Sequence, residues 1–295
     1  MRTARDAEGL GDVMRCDLTD QGQVEEAVSA ARPRWVFQCG GATQSDDPHV
    51  LYRVHVEGAF HVLSAVAKYV PDAVVMLFGS AAEYGSPPPE ALPVREDYPG
   101  VPLSFFGASK LAQTEVARVA AAERGLRVLV VRPFNVLGPG LPPHYFAGAL
   151  AVRLLEARAA GAAGDIPVTN ADVTRDLVDV RDVVEALLGL AARAAPPPGS
   201  LAVYNVASGR ETPLLAVAER LCGLAGGYRP VHAGTAGSRS AVARSCGDAS
   251  KLREVTGWVP RISWERSVDD LWQAFAGQAA VGPSGFRLRP ARTGQ

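Results

Sequence analysis

Apolar residues along the chain fall into short β-branched runs that alternate with longer stretches repeating at helical spacing. This is the pattern of a parallel sheet covered by helices on both faces. Residues 13–16 read as a strand, and in the following Asp17-Leu18-Thr19-Asp20 either Thr19 or Asp20 can cap a helix to residue 32. Trp35-Val36-Phe37-Gln38-Cys39 reads as a buried strand running into Gly40-Gly41-Ala42. Over residues 47–69, Val50, Leu51, Val54, Gly58, Val62, Leu63 and Val66 follow one helical stripe. Residues 73–78 form the next strand, and 80–105 a proline-rich loop. A helix over 106–124 stops at Gly125 and feeds a strand over 126–131. Residues 132–140 are too rich in Pro and Gly to predict regular structure.

From residue 142 the grain changes. An Ala-rich helix comes first, then short strands near residue 167 and over 175–178, and a helix over 181–193. The proline-rich loop 195–200 and a short strand over 204–206 follow. Helices are predicted over 213–224, 248–256 and 263–273, and the Gly-, Pro- and Arg-bearing segment 278–295 is expected to be disordered.

Charge narrows the partners. Lys+Arg 30 against Asp+Glu 31 in 295 residues leaves no basic stripe for nucleic acid. No apolar run approaches the roughly 18 residues of a membrane helix, and residues 1–11 are polar, with no signal segment. A cytoplasmic protein acting on a small metabolite is the expectation. Cys16, Cys39, Cys222 and Cys246 have no Cys-x-x-Cys spacing, which argues for buried or semi-buried free thiols and against a metal site.

Several phrases carry chemistry together. They are Gly79-Ser80-Ala81-Ala82-Glu83-Tyr84-Gly85, Phe106-Gly107-Ala108-Ser109-Lys110, Arg132-Pro133-Phe134-Asn135 with Gly138-Pro139-Gly140, Arg175-Asp176-Leu177-Val178-Asp179, Tyr204-Asn205-Val206-Ala207-Ser208-Gly209-Arg210, and Gly247-Asp248-Ala249-Ser250-Lys251. In this order they resemble the extended short-chain dehydrogenase/reductases, or NAD-dependent epimerase/dehydratase family. Within it they look most like GDP-4-keto-6-deoxymannose reductases and GDP-mannose dehydratases.

The resemblance implies an α/β, Rossmann-like doubly wound parallel sheet, N-terminally incomplete, with a smaller C-terminal substrate-binding lobe. The first would span 1–141 with parts of 174–206, and the lobe mainly 142–277. It also implies NAD or NADP as cofactor, a nucleotide sugar as substrate, and a homodimer through the helices at 47–69 and 106–124.

The resemblance assigns roles to particular residues. Ser80 would bond the reacting sugar oxygen, and Lys110 would assist a tyrosine at position 106. That tyrosine is here Phe106, which has no exchangeable proton. Asp17, Gly40, Gly41, Ala42, Lys110 and Pro133 would contact the cofactor. Asn135, Arg175 and Arg210 would meet the nucleotide, with a guanidinium suited to phosphate by its forked donors. Glu83 is a candidate acid or base or else a solvated loop residue, and Tyr98 is within the loop's reach of the site. Ser238-Arg239-Ser240-Ala241 stands where the branch has a phosphate loop with its Arg displaced by one position, leaving Arg239 or Arg244 to compensate. His55 replaces the family's Asn.

No Gly-x-x-Gly-x-x-Gly opens the chain; Gly9-Leu10-Gly11 is a lone polar turn. Such folds begin with a central strand and a helix N-terminus that holds pyrophosphate. Loss of that strand would leave two unpaired edges, so a late start is expected, with abandonment of the cofactor as the alternative. The leading expectation is reduction of a GDP-4-keto-6-deoxy sugar. Its rivals are an impaired homologue that binds a nucleotide sugar or partner without redox chemistry, and a nicotinamide-free dehydratase or cyclase.

Overall fold

A computed structural model describes residues 13–43, 45, 47–233 and 242–280. The turn at 9–11, Arg239 and residues 281–295 lie outside them. In chain order the elements are α1 (Gln21–Ala31), β1 (Trp35–Gln38), α2 (Pro48–Tyr52), α3 (Gly58–Tyr69), β2 (Val74–Phe78), α4 (Phe105–Arg124), β3 (Arg127–Pro133) and β4 (Asn135–Leu137). They continue with α5 (Phe146–Ala159), β5 (Gly164–Val168), β6 (Thr174–Asp179), α6 (Val180–Arg193), β7 (Ser200–Val206), β8 (Glu211–Pro213), α7 (Leu214–Ala225), β9 (Tyr228–His232), α8 (Ser250–Thr256) and α9 (Trp264–Ala280).

The main sheet has the order β1-β2-β3-β7, all parallel. Alternation along β3 builds both layers: Val128 and Val130 enter one core with α1, α3 and α4, while Leu129 and Val131 enter the other with α6 and α8. A third core joins α5, α7 and α9 around Leu154, Leu221 and Leu271. This is the parallel sheet covered by helices on both faces that the alternating pattern predicts, in the Rossmann-like form the resemblance implies. No helix among the described residues is long and apolar enough to cross a membrane.

Several expectations are corrected. Residues 13–16 form no strand, because β1 pairs only with β2 and no described strand lies on its other side. As an edge strand β1 is only partly buried, with Phe37 38% exposed. The segment 47–69 is not one helix: a π-helical turn, Arg53–Glu57, separates α2 from α3. Within 132–140, Asn135–Leu137 pairs with β6, so backbone hydrogen bonding overrides the Pro-Gly composition there. β7 begins at Ser200 because its whole length has a partner in β3. β8 and β9 have little apolar alternation and exist through pairing with β6 and β5. The final helix runs through residue 280, past both predicted ends at 273 and 277, because Trp272 and Phe275 dock on the third core.

Candidate functional site

A cavity of about 670 Å³ opens at the carboxyl ends of β1, β2 and β3, where open α/β sheets place ligands. Its wall brings together Ser80, Phe106 and Lys110, as well as Gly41, Ala42, Pro133, Asn135 and Arg175.

Ser80 follows β2 and caps the short turn Ala81–Tyr84, its Oγ accepting from Ala82 N at 3.1 Å. Ser104 caps α4 through Gly107 N, which sets Phe106 and Lys110 on one helical face. Phe106 turns an apolar ring into the site. Lys110 is buried, and its Nζ donates to Phe78 O at 2.7 Å and Gln113 Oε1 at 3.1 Å. Burial lowers its pKa to about 8, against an opposing pull from Glu83.

His55 is 1% exposed, and the π-helical turn points it inward; such single turns recur at functional sites. Its Nε2 accepts from Ala42 N at 3.1 Å. Nδ1 therefore carries the hydrogen and donates to Ser109 Oγ at 2.8 Å, which in turn donates to Phe106 O. One imidazole thus ties the glycine turn to the helix bearing Phe106. A Cβ on Gly41 would come within 3.3 Å of His55 Nε2 and 3.7 Å of Lys110 Nζ, so the bare backbone leaves that space open.

Burial, then the Lys110 charge, lowers the His55 pKa from 6.5 to about 4. Between these values the unfolded chain takes up a proton that the folded protein refuses. Stability is therefore fully present above pH 6.5 and declines toward 4. Moving from about pH 7.5 to about pH 5 is expected to remove about 2 kcal/mol through this group. Urea unfolding of wild type and His55→Asn at both pH values checks this, since the variant should lack that part of the slope.

Arg175 also lines the cavity, its Nη1 donating to Thr174 O at 2.6 Å and Nη2 to Val242 O at 2.9 Å. Thr43 Oγ1 and His144 Nε2 meet at 3.3 Å, joining the glycine turn to the segment before α5.

Other candidates lie elsewhere. Glu83 is neither solvated nor on the cavity wall; it is fully buried. Oε1 accepts from Ser80 N, and Oε2 from Thr114 Oγ1 and the Arg132 guanidinium at 2.8 Å. Tyr98 packs in the core against Tyr84, away from the cavity. Arg210 is exposed and off the wall, and Arg244 is forked onto Glu211. Asp17 is exposed and does not line the cavity, its carboxylate taken by Thr19, though neighbouring Leu18 packs against Gly40. Cys39 is exposed rather than buried, and lines the wall.

Sequence reasoning missed Gln113 and Asp176. Gln113 sits one turn beyond the lysine motif, where its spacing was the available signal. Buried Asp176 accepts from Ser208 N and Oγ, Gly209 N and Gly247 N, joining three of the sequence phrases.

Fold and cavity together define a Rossmann-like α/β protein with its ligand crevice at the strand ends. The chain belongs to the NAD dependent epimerase/dehydratase family, whose profile matches residues 1–207. It is 31% identical over 261 residues to a dTDP-6-deoxy-L-talose 4-dehydrogenase (NAD(P)(+)) from Kitasatospora kifunensis, covering 87% of this chain and 77% of that protein. It is 30% identical over 223 residues to a GDP-6-deoxy-D-mannose reductase from Pseudomonas aeruginosa, covering 75% and 72%. The structure of RMD from Pseudomonas aeruginosa complexed with NADPH superposes with a TM-score of 0.82 at 26% identity, over 92% of this chain and 94% of that one.

Proposed function

We propose that the protein interconverts a ketone and an alcohol on the sugar of a nucleotide sugar, using NAD or NADP, and most resembles a reductase of a GDP-4-keto-6-deoxy sugar. The observation that carries this reading is the single cavity lined by Ser80, Lys110, the bare Gly41 turn, Asn135 and Arg175, with Lys110 Nζ beside Gly41. The residues fit a nicotinamide dinucleotide. Gly41 leaves the space beside His55 and Lys110 clear, and Ala42 and Pro133 line the same cavity, whereas Gly40 is off its wall with its open face filled by Leu18. When bound, the nicotinamide supplies or accepts the hydride. Ser80 Oγ bonds the sugar oxygen, Lys110 orients the nicotinamide end, and the Arg175 guanidinium meets the diphosphate. The names of two relatives support a 6-deoxy sugar; they differ in the nucleotide.

Phe106 favours a second reading, a homologue that binds the same ligands with little turnover. Calorimetric titration with NADH and NADPH, followed by NADH consumption with GDP-4-keto-6-deoxymannose, separates the two. Binding with turnover supports the first, binding alone the second, and no nicotinamide binding overturns the first.

Arg175→Ala is expected to raise KM for the nucleotide sugar about 10- to 100-fold, as loss of charge-assisted hydrogen bonds costs about 1.5–3 kcal/mol. The nicotinamide Kd should stay unchanged. Steady-state kinetics beside calorimetry check this.

A further inference from the structure

Reduction of a ketone needs a proton as well as a hydride, and Phe106 cannot give one. On the π-helical turn and α4, His55, Ser109 and Lys110 each have an exchangeable hydrogen, and two of them are committed; the Ser80 hydroxyl on the same wall is taken up by the sugar oxygen in the reading above. The His55 ring centroid is 5.7 Å from that of Phe106, but its Nδ1 hydrogen is held by Ser109 and its Nε2 is an acceptor. Ser109 Oγ–H is spent on Phe106 O. Lys110 remains. Phe78 O and Gln113 Oε1 take two of its three ammonium hydrogens. The third has no protein acceptor among the described residues, and Lys110 lines the cavity.

Gln113 is itself fixed. It is 1% exposed, and its Nε2 donates to the same Phe78 O at 3.3 Å. Lys110, Gln113 and the end of β2 therefore form a closed triangle, which holds a long, flexible side chain in one place against its rotamer entropy.

We propose that Lys110 itself delivers the proton in this protein, its Nζ doing the work of the phenol that Phe106 lacks, with Gln113 as the residue that positions it. The proposal rests on the nucleotide-sugar oxidoreductase reading above. The ketone carbon gains the hydride from a reduced nicotinamide, and the C=O π pair moves to oxygen. A Lys110 N–H bond breaks as the O–H bond forms, directly or through one water. Lys110 is left as a neutral amine, which solvent reprotonates. The charged or titratable groups facing it are His55 on the π-helical turn and Glu83 on the turn after β2, whose carboxylate also holds Arg132 of β3, with Cys39 after β1 on the same cavity wall. Removal from water outweighs the pull of Glu83 on Lys110, so the ammonium is poised to give its proton near neutrality.

The test measures reduction of GDP-4-keto-6-deoxymannose and of the C4 ketone of dTDP-6-deoxy-L-talose against pH, with whichever of NADH and NADPH binds. It uses wild type, Lys110→Arg, Gln113→Leu and Gln113→Glu, each first titrated calorimetrically with NADH and NADPH. The Lys110 amine is followed in parallel by carbon-13 NMR of its Cε, assigned with the Arg variant.

The expected wild-type profile falls on the alkaline side at the NMR midpoint of Lys110. Gln113→Glu sets a carboxylate beside the ammonium and should move both midpoint and falling limb up by about one pH unit or more. Gln113→Leu should lower kcat with KM unchanged. Lys110→Arg, which keeps the charge but cannot release a proton, should bind the same nicotinamide and lose about 100-fold or more in kcat.

Turnover with a falling limb that ignores Gln113→Glu, or an Arg variant with wild-type kcat, overturns the proposal and leaves the reductase reading standing. Failure of wild type to bind either NADH or NADPH overturns the reading itself. Nicotinamide binding without reduction of either ketone overturns the proposal.

Discussion

Phe106→Tyr is expected to increase kcat for ketone reduction by about 10²-fold, with little change in the Kd for NADH. A positioned general acid is typically worth about 10² to 10⁴ in rate; the lower end is expected because Lys110 already offers a slower route. Position 106 lies one helical turn before Lys110, on the cavity wall. A phenol there would enter the field of the ammonium, which favours phenolate and brings its pKa toward the working range. Stopped-flow measurement of NADH consumption at saturating nucleotide sugar checks this. An unchanged rate in a variant that binds NADH normally would mean proton delivery does not limit turnover.

Glu83→Ala is expected to cost about 3–5 kcal/mol of folding stability, as does removal of one member of a buried ion pair. Arg132, itself buried, would lose its carboxylate while its side chain still lies 4.6 Å over the Tyr84 ring. Ser80 N would lose its acceptor as well, and Thr114 Oγ1 would be left with Lys110 O alone. Because Ser80 N belongs to this network, the turn bearing the Ser80 hydroxyl should loosen and kcat should fall alongside. Urea unfolding gives the stability, and Glu83→Gln should cost less because it keeps the side chain's size and one acceptor. If Glu83 were a ligand for substrate, Ala would leave stability unchanged and raise KM alone.

These two positions mark how far the chain could be read. Phe106 and Lys110 were legible because spacing along one helix decides which way side chains point. Ser80 was legible because it follows a strong β-branched strand. Glu83 was not: its partners Thr114 and Arg132 are 31 and 49 residues away, and only a folded chain shows that a carboxylate in a loop phrase is enclosed. The same holds for Asp176, whose partners come from segments 32 to 71 residues distant.

The sequence by itself determined the parallel sheet and the helices on both of its faces, since alternation and helical spacing are local properties, while Ser80, Phe106 and Lys110 were singled out by the family resemblance and brought to one wall by the fold. Tertiary structure decided the rest. The π-helical turn at Arg53–Glu57 breaks a stripe that reads as one continuous helix, and it turns His55 to the Ala42 amide and the Ser109 hydroxyl. β8 and β9 form because neighbouring strands satisfy their backbone groups. Gln113 acquires its task from Phe78 O, 35 residues away. Burial then sets the charges: Lys110 and His55 lose water only when the sheet, the turn and α4 close around them, and that desolvation shifts both groups toward their neutral forms.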